Sequence, residues 1–128
     1  MPLFHAVLLI AHDTAKIQEF DAEQRVLHQV QAHAYDTRQH GSNVRTEHEF
    51  FGKVCDALAG VREVLVAGSK TALSDFRHYV QKHRAGMAAQ FVGWEPVDHP
   101  TDGQLVAFAR KYFVDHDRMA GVPTPTDL

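Results

Sequence analysis

The chain has 128 residues, 45% of them hydrophobic, and 13 Lys and Arg against 16 Asp and Glu give a net charge of −3 when the histidines are neutral. This length predicts a single domain with its own hydrophobic core over residues 1–120, followed by a flexible tail over residues 121–128. The charge excludes a general polyanion-binding protein, so any contact with nucleic acid has to be local.

Cysteine content and hydropathy indicate the cellular compartment. The only cysteine, Cys55, excludes an internal disulfide, and its place in a helical apolar pattern is typical of a buried thiol in a reducing compartment. The apolar run over residues 6–11 is far shorter than a membrane span and follows no basic segment. We therefore expect a cytoplasmic protein without a membrane partner.

Three strands are predicted in the N-terminal quarter. Residues 4–11 are apolar on both alternating faces, which favours a central strand covered on two sides. Turn-forming residues 12–14 separate it from a second strand over residues 15–20. Residues 25–33 alternate with one mostly polar face, which indicates a third strand near a sheet edge.

Residues 34–45 contain few apolar side chains and many turn formers, which predicts a long loop. Loops of about a dozen residues are often mobile or functional. The segment is therefore either a binding loop or an exposed connection without a role.

The rest of the chain predicts helices alternating with short strands. A capping box of Thr46 and Glu49 starts the first helix, which runs to Gly60, and residues 64–67 form a buried strand. The second helix follows residues 68–71 and ends near Gly86. Its inward stripe consists of Leu73, Phe76, Tyr79, Val80 and His83.

The last strand is predicted over residues 90–97, and a third helix follows it. Pro100 keeps the preceding residue out of the helical region, and Thr101 with Gln104 forms a second capping box. Leu105, Ala109, Tyr112 and His116 then recur on one helical face, flanked by Val106 and Phe113. The element order predicts an α/β fold in which helices pack on the faces of a mixed sheet.

Residues 97–105 and 109–113, taken with residues 64–68 and the helix that carries Lys70, Phe76 and Tyr79, resemble the bacterial family of translational machinery proteins. These small proteins are similar to the third domain of the archaeal and eukaryotic class-one peptide-chain release factor and of Pelota. The resemblance covers residues 4–113 and implies a three-layer α/β/α sandwich, shared with the kink-turn-binding ribosomal proteins. In the release factors this domain is not the hydrolytic one but a docking surface for the partner GTPase, so the resemblance also implies a docking domain.

Release factors hydrolyse peptidyl-tRNA through a Gly-Gly-Gln motif, and the nearest sequence here is Asp102-Gly103-Gln104. It has one of the two glycines, and the capping box already explains Gln104. We therefore predict no catalytic residue at this position.

The second helix carries the candidate RNA-binding or partner-binding residues. Its start, residues 68–71, offers backbone N–H groups and a lysine, which can hold a phosphate, although the spacing is not that of a P-loop. Four basic residues stand against Asp75 in this region. The candidate residues are Ser69, Lys70, Arg77, Lys82 and Arg84. The alternative is an ordinary helix start with a solvated surface.

The sequence gives less support to a metal site or a catalytic nucleophile than to a binding surface. Among the ten histidines, His78 and His83 are five residues apart, which does not align them on a helix, and no metal-binding motif is present, so we predict no metal or other cofactor. Three aspartates fall at predicted strand ends or helix starts, where a magnesium-dependent phosphate site can form and where aspartate is also a common turn residue. They are Asp13, Asp98 and Asp102. Cys55 has no neighbouring base and is not expected to act as a nucleophile.

The leading functional hypothesis is a non-enzymatic binding module of the translation apparatus that contacts ribosomal RNA, tRNA or a translation factor. A second hypothesis is a small divalent-metal-dependent phosphodiester hydrolase or nuclease that uses the aspartates above. A third is a regulatory module whose protein partner docks on residues 34–45 or on an exposed sheet edge.

Overall fold

A computed structural model describes residues 4–21, 24–31 and 42–120, with side chains described over residues 47–116 of the last range. The predicted tail over residues 121–128 lies outside the described residues, as does the part of the predicted loop over residues 34–41. Within the described ranges, no helix combines the length and the apolar content that crossing a membrane requires.

In the described part of the chain, five strands form one mixed sheet. They are β1 (His5–Ile10), β2 (Thr14–Phe20), β3 (Arg25–Gln31), β4 (Glu63–Gly68) and β5 (Phe91–Pro96), in the spatial order β3-β2-β1-β4-β5. The first three strands pair antiparallel, whereas β4 is parallel to both β1 and β5. The prediction of a mixed sheet with a central first strand and a third strand at the edge is confirmed.

Over the same described ranges, three α-helices accompany the sheet. They are α1 (Ser42–Ala57), α2 (Lys70–His83) and α3 (Asp102–Ala120), and a short 3-10 helix (Ala85–Gln90) joins α2 to β5. The connections from β1 to β4 and from β4 to β5 each contain a helix, as parallel neighbours require.

Alternation along β1 divides the core into two layers. Ala6, Leu8 and Ile10 pack with α1 and α2 on one face of the sheet, and Val7 packs with α3 on the other. Over residues 102–116 of α3, the buried residues are Leu105, Val106, Ala109 and Phe113. Because successive strand residues point to opposite faces, one apolar strand holds helices on both sides, which confirms the three-layer arrangement.

The first helix begins earlier than predicted. Residues 42–45, assigned to the loop, are helical, so Thr46 lies inside α1 and does not start it. The prediction depended on a capping box of Thr46 and Glu49, whereas the helical backbone begins at Ser42, four residues before Thr46.

The 3-10 helix was not predicted. Gln90, assigned to the last strand, lies at its end and donates from Nε2 to the carbonyl oxygens of Val61 at 2.6 Å and Leu58 at 3.4 Å. These bonds join segments about thirty residues apart, so the local pattern carried no sign of them.

The outer strand β3 is mostly exposed. Val26 and Leu27 retain 42% and 52% of their accessible surface, in agreement with the polar, edge-like pattern of this segment. Most other residues of β3 are charged or polar, which is typical of edge strands that avoid pairing with other chains.

Candidate binding surface on the second helix

The start of α2 follows the pattern predicted from the sequence. Ser69 is the N-cap, and its hydroxyl oxygen accepts a hydrogen bond from the backbone N–H of Ala72 at 3.2 Å. A cap of this kind satisfies a backbone donor that the first turn leaves without a partner. The structure thus assigns Ser69 to the cap, next to the exposed Lys70.

Lys70 and Arg77 share one face of α2. They are seven residues apart, which is close to two helical turns, and both are exposed. Together they line a groove between α2 and β5 with a volume of about 300 Å³, which we call the basic groove. The residues that line it are Lys70, Leu73, Ser74, Arg77, Trp94 and Pro96, and none of them is acidic.

Trp94 gives the basic groove an aromatic wall. The guanidinium carbon of Arg77 lies 5.4 Å from the centroid of the Trp94 ring, within the distance of a cation–π contact. The same ring packs against Phe91 at 5.6 Å and Phe76 at 6.0 Å. The core therefore holds one side of Trp94, and the ring is fixed next to Arg77.

Arg84 has a structural partner. Its Nη1 donates to Asp56 of α1 at 2.9 Å, and its Nη2 donates to the carbonyl oxygen of Gly52 at 3.5 Å. This hydrogen bond to the Asp56 carboxylate raises the pKa of the guanidinium, so Arg84 keeps its positive charge. Arg84 thus joins the end of α2 to α1, apart from the basic groove.

Lys82 lines a second groove, between α1 and α2, with a volume of about 350 Å³, which we call the histidine groove. The residues that line it are Glu47, His48, Phe51, Ser74, Asp75, His78, Tyr79, Lys82 and His83. The imidazole ring of His48 lies 5.2 Å from that of His83 and 5.4 Å from the ring of Tyr79, between centroids. His83, predicted to face the core, is instead exposed, because it is the last residue of α2 and the buried stripe ends at Val80.

The five sequence-predicted residues therefore separate. Lys70 and Arg77 come together with Trp94, while Lys82 lies in the other groove and Ser69 and Arg84 have structural roles. Sequence reasoning missed Trp94, which is 17 residues from Arg77 and was interpreted only as an apolar strand residue. It also missed Glu47 and Asp75 as neighbours across the two helices.

The three aspartates of the hydrolase hypothesis do not form a cluster of metal ligands. Asp98 lies near the carboxyl ends of β1 and β4 with its side chain 96% exposed, and Asp102 accepts a hydrogen bond from Lys16 at 3.3 Å. Asp13 lies in the turn between β1 and β2. Over the described ranges, none of the three belongs to a group of three potential metal ligands.

The start of α3 confirms the predicted capping box. The backbone N–H of Gln104 donates to the Thr101 hydroxyl at 3.1 Å, and the backbone N–H of Thr101 donates to Oε1 of Gln104 at 2.9 Å. The amide of Gln104 is thus held against its own helix start, which agrees with the interpretation of this glutamine as a capping residue.

Cys55 is fully buried in α1, as predicted. Burial raises the pKa of its thiol from the ordinary value of 9.0 to about 11, with a smaller lowering by Arg84 and a smaller raising by Asp56. The thiol is therefore protonated at neutral pH, which does not suit a nucleophile.

This raised pKa predicts a pH dependence of stability. Because the thiol ionises more readily in the unfolded chain, the free energy of unfolding should fall as the pH rises from 9.0 to about 11. Cys55→Ala should make this fall smaller, as measured by urea unfolding at several pH values. Burial also raises the pKa of Tyr112, but this contribution is common to both proteins and cancels in the comparison. An identical decline in the two proteins would contradict the prediction.

Comparison with known proteins finds solved structures that share this fold. No protein-family model matches the sequence, and no curated protein sequence matches it significantly. Among solved structures, the chain is similar to Pelota from Archaeoglobus fulgidus, with a TM-score of 0.61 and 18% identity over 91% of this chain and 35% of Pelota. Pelota from Thermoplasma acidophilum gives a TM-score of 0.58 and 14% identity over 94% of this chain and 35% of Pelota.

The archaeal translation termination factor aRF1 gives a TM-score of 0.57 and 14% identity, over 91% of this chain and 39% of the factor. The chain thus spans little more than a third of the length of each of these proteins. Identities this low establish the shared fold and no more, and membership of the bacterial family stays a prediction. The chain therefore has a mixed α/β fold similar to one part of Pelota and to one part of the archaeal translation termination factor aRF1.

Proposed function

We propose that the protein is a non-enzymatic binding module of the translation apparatus and that it contacts RNA through the basic groove. The observation that carries the proposal is the grouping of two exposed cations, Lys70 and Arg77, beside Trp94 without an acidic residue in the lining. The fold shared with Pelota and aRF1 supports the association with translation.

The spacing of the two cations suits a phosphate backbone. Seven residues of α-helix rise about 10 Å, so Lys70 and Arg77 can contact different phosphates of one strand. Lys70 is also in the first turn of α2, where the helix dipole adds positive potential. The contact is local, which agrees with the net negative charge of the whole chain.

Trp94 and Arg77 add a surface for a base. Proteins that bind single-stranded RNA stack unpaired bases on aromatic rings and on guanidinium planes. The partly exposed Trp94 is supported from behind by Phe76 and Phe91, so little side-chain entropy is lost when a base stacks on it. This combination favours RNA over an acidic protein partner, which needs the charges but not the ring.

Trp94 also provides the assay, since it is the only tryptophan in the chain. Titration with a short single-stranded RNA at low salt should quench its fluorescence to saturation, because a stacked base alters the environment of the indole. In Lys70→Gln/Arg77→Gln the affinity should fall at least tenfold, and the slope of log K against log[salt] should become shallower by about 1.4, the value expected for two lost phosphate contacts.

The matched control removes two exposed lysines from the other helices, Lys53 in α1 and Lys111 in α3. Lys53→Gln/Lys111→Gln changes the net charge equally and should leave both affinity and salt slope close to those of the wild type. Equal losses in the two double variants would show non-specific attraction and contradict the proposal. Co-sedimentation with ribosomes should follow the same order, and ribosome binding that survives Lys70→Gln/Arg77→Gln would place the contact elsewhere on the protein.

A further inference from the structure

Three potential metal ligands from distant parts of the chain meet near the histidine groove. His12 lies in the turn between β1 and β2, Glu47 lies in α1, and Asp75 lies in α2. One ligand atom of each, an imidazole nitrogen or a carboxylate oxygen, lies within 4.8 Å of the other two. We propose that these residues, which we call the triad, bind a divalent transition-metal ion such as Zn²⁺.

The donor set suits this class of ion. Imidazole nitrogen and carboxylate oxygen both bind zinc at about 2.0 to 2.2 Å, and imidazole disfavours the alkaline-earth ions, which prefer oxygen alone. Ligand atoms around a tetrahedral ion with such bonds are about 3.4 Å apart. Ligand atoms within 4.8 Å of one another need to approach by at most about 1.4 Å, a change that side-chain rotation at the partly exposed Glu47 and the exposed His12 can supply.

The charges favour a cation at this position. Glu47 and Asp75 bring two carboxylates together across the α1–α2 boundary, and neither takes part in an ion pair with any other described residue. Among the described residues that line the groove, the lysine is Lys82, and the other ionisable residues beside Glu47 and Asp75 are His48, His78, Tyr79 and His83. A bound dication would offset the repulsion between these two carboxylates.

Three protein ligands leave at least one coordination position for water or another ligand. Glu47 and Asp75 also line the histidine groove, so a molecule in that groove would lie next to the ion. The ion would in addition connect the β1–β2 turn to both helices of one layer. This site lies on the opposite side of α2 from Lys70 and Trp94, so the inference is independent of the proposed RNA contact.

Isothermal titration of the full chain with ZnCl₂, after treatment with EDTA and dialysis, tests the proposal. We expect one saturable equivalent for the wild type and a loss of affinity of at least tenfold in each of His12→Gln, Glu47→Gln and Asp75→Asn. Zinc should also raise the melting temperature of the wild type by several degrees, because an ion that binds only the folded state stabilises it. Mn²⁺ should bind more weakly than Zn²⁺, and Mg²⁺ at the same concentration should give no shift.

Two controls separate the triad from other surface groups. Asp98→Asn removes an exposed carboxylate outside the groove and should bind zinc like the wild type. His48→Gln/His83→Gln removes two other imidazoles of the histidine groove and should retain the one-equivalent site. All variants should melt at the wild-type temperature in EDTA, which shows that each is folded, and a variant that does not is replaced by Glu47→Asp or Asp75→Glu. Absence of one-equivalent binding in the wild type, or binding that is lost in the His48/His83 variant but kept in the triad variants, would overturn the proposal.

Discussion

Phe76→Ala is expected to lower the free energy of unfolding by about 3 to 5 kcal/mol, the range found when a fully buried aromatic side chain is truncated. Phe76 is completely buried on α2, and its ring contacts those of Phe51 at 5.2 Å, Phe91 at 5.7 Å and Trp94 at 6.0 Å. These partners belong to α1 and β5. The cavity left by the truncated side chain would therefore weaken the packing between α1, α2 and β5. Thermal unfolding followed by circular dichroism should show a fall of roughly 10 to 20 °C.

Phe108→Ala is the matched control, because Phe108 retains 40% of its accessible surface on α3. Removal of the same atoms at this position should lower the free energy of unfolding by less than about 1 kcal/mol. Loss of Phe76 should also free one side of Trp94, so the fluorescence of the folded variant should shift to longer wavelength and its RNA affinity should fall. Equal melting temperatures for the two alanine variants would mean that Phe76 does not occupy the centre of this core.

Gly68→Ala is expected to destabilise the protein by about 2 to 4 kcal/mol, because strain and overpacking at one site combine. A Cβ atom at Gly68 would lie 2.5 Å from the backbone oxygen of Ile10 and 3.1 Å from its Cγ2 atom, and the backbone φ of Gly68 is 158°. Gly68 is paired with Ile10 at the carboxyl end of β4, next to the start of α2. The neighbouring strand backbone therefore has to move, and the N-terminus of α2 with it.

Gly103→Ala provides the comparison within the same chain. A Cβ atom there meets nothing within 4 Å, and Gly103 lies in the first turn of α3. Alanine has the higher helix propensity, so this substitution should leave stability unchanged or raise it by up to about 1 kcal/mol. Urea unfolding of both variants measures the difference, and a Gly68→Ala protein as stable as Gly103→Ala would refute the close approach of β1 and β4.

The two grooves on either side of α2 differ in chemistry although they share Ser74. The basic groove combines cations with an aromatic ring, whereas the other combines imidazoles, carboxylates and Lys82. An RNA strand and a metal ion would therefore occupy separate surfaces of one helix. Binding of RNA to the EDTA-treated protein, as strong as to the zinc-loaded protein, is the result expected if the surfaces act independently.

Sequence alone determined the elements whose signals are local. The capping box at Thr101 and Gln104, the buried stripe of α3 and the two-sided apolar pattern of β1 all follow from spacings of two to four residues. Hydrogen bonds at helix starts and the burial of one face of a helix or strand both depend on residues two to four positions apart. These features can therefore be predicted from the sequence. The mixed sheet with helices on its faces followed from the order of those elements, whereas the spatial order of the five described strands came only from the structure.

Tertiary structure alone decided which distant side chains meet. The contact of Arg77 with Trp94 depends on the packing of α2 against β5, and the triad depends on a turn and two helices that are separated by 35 and 28 residues. The buried hydrogen bond between His5 and Glu63, at 2.9 Å, likewise arises because parallel pairing sets these residues side by side. The physical reason is that the register of paired strands and the docking of helices bring such groups together, and neither leaves a periodic trace in the residues concerned.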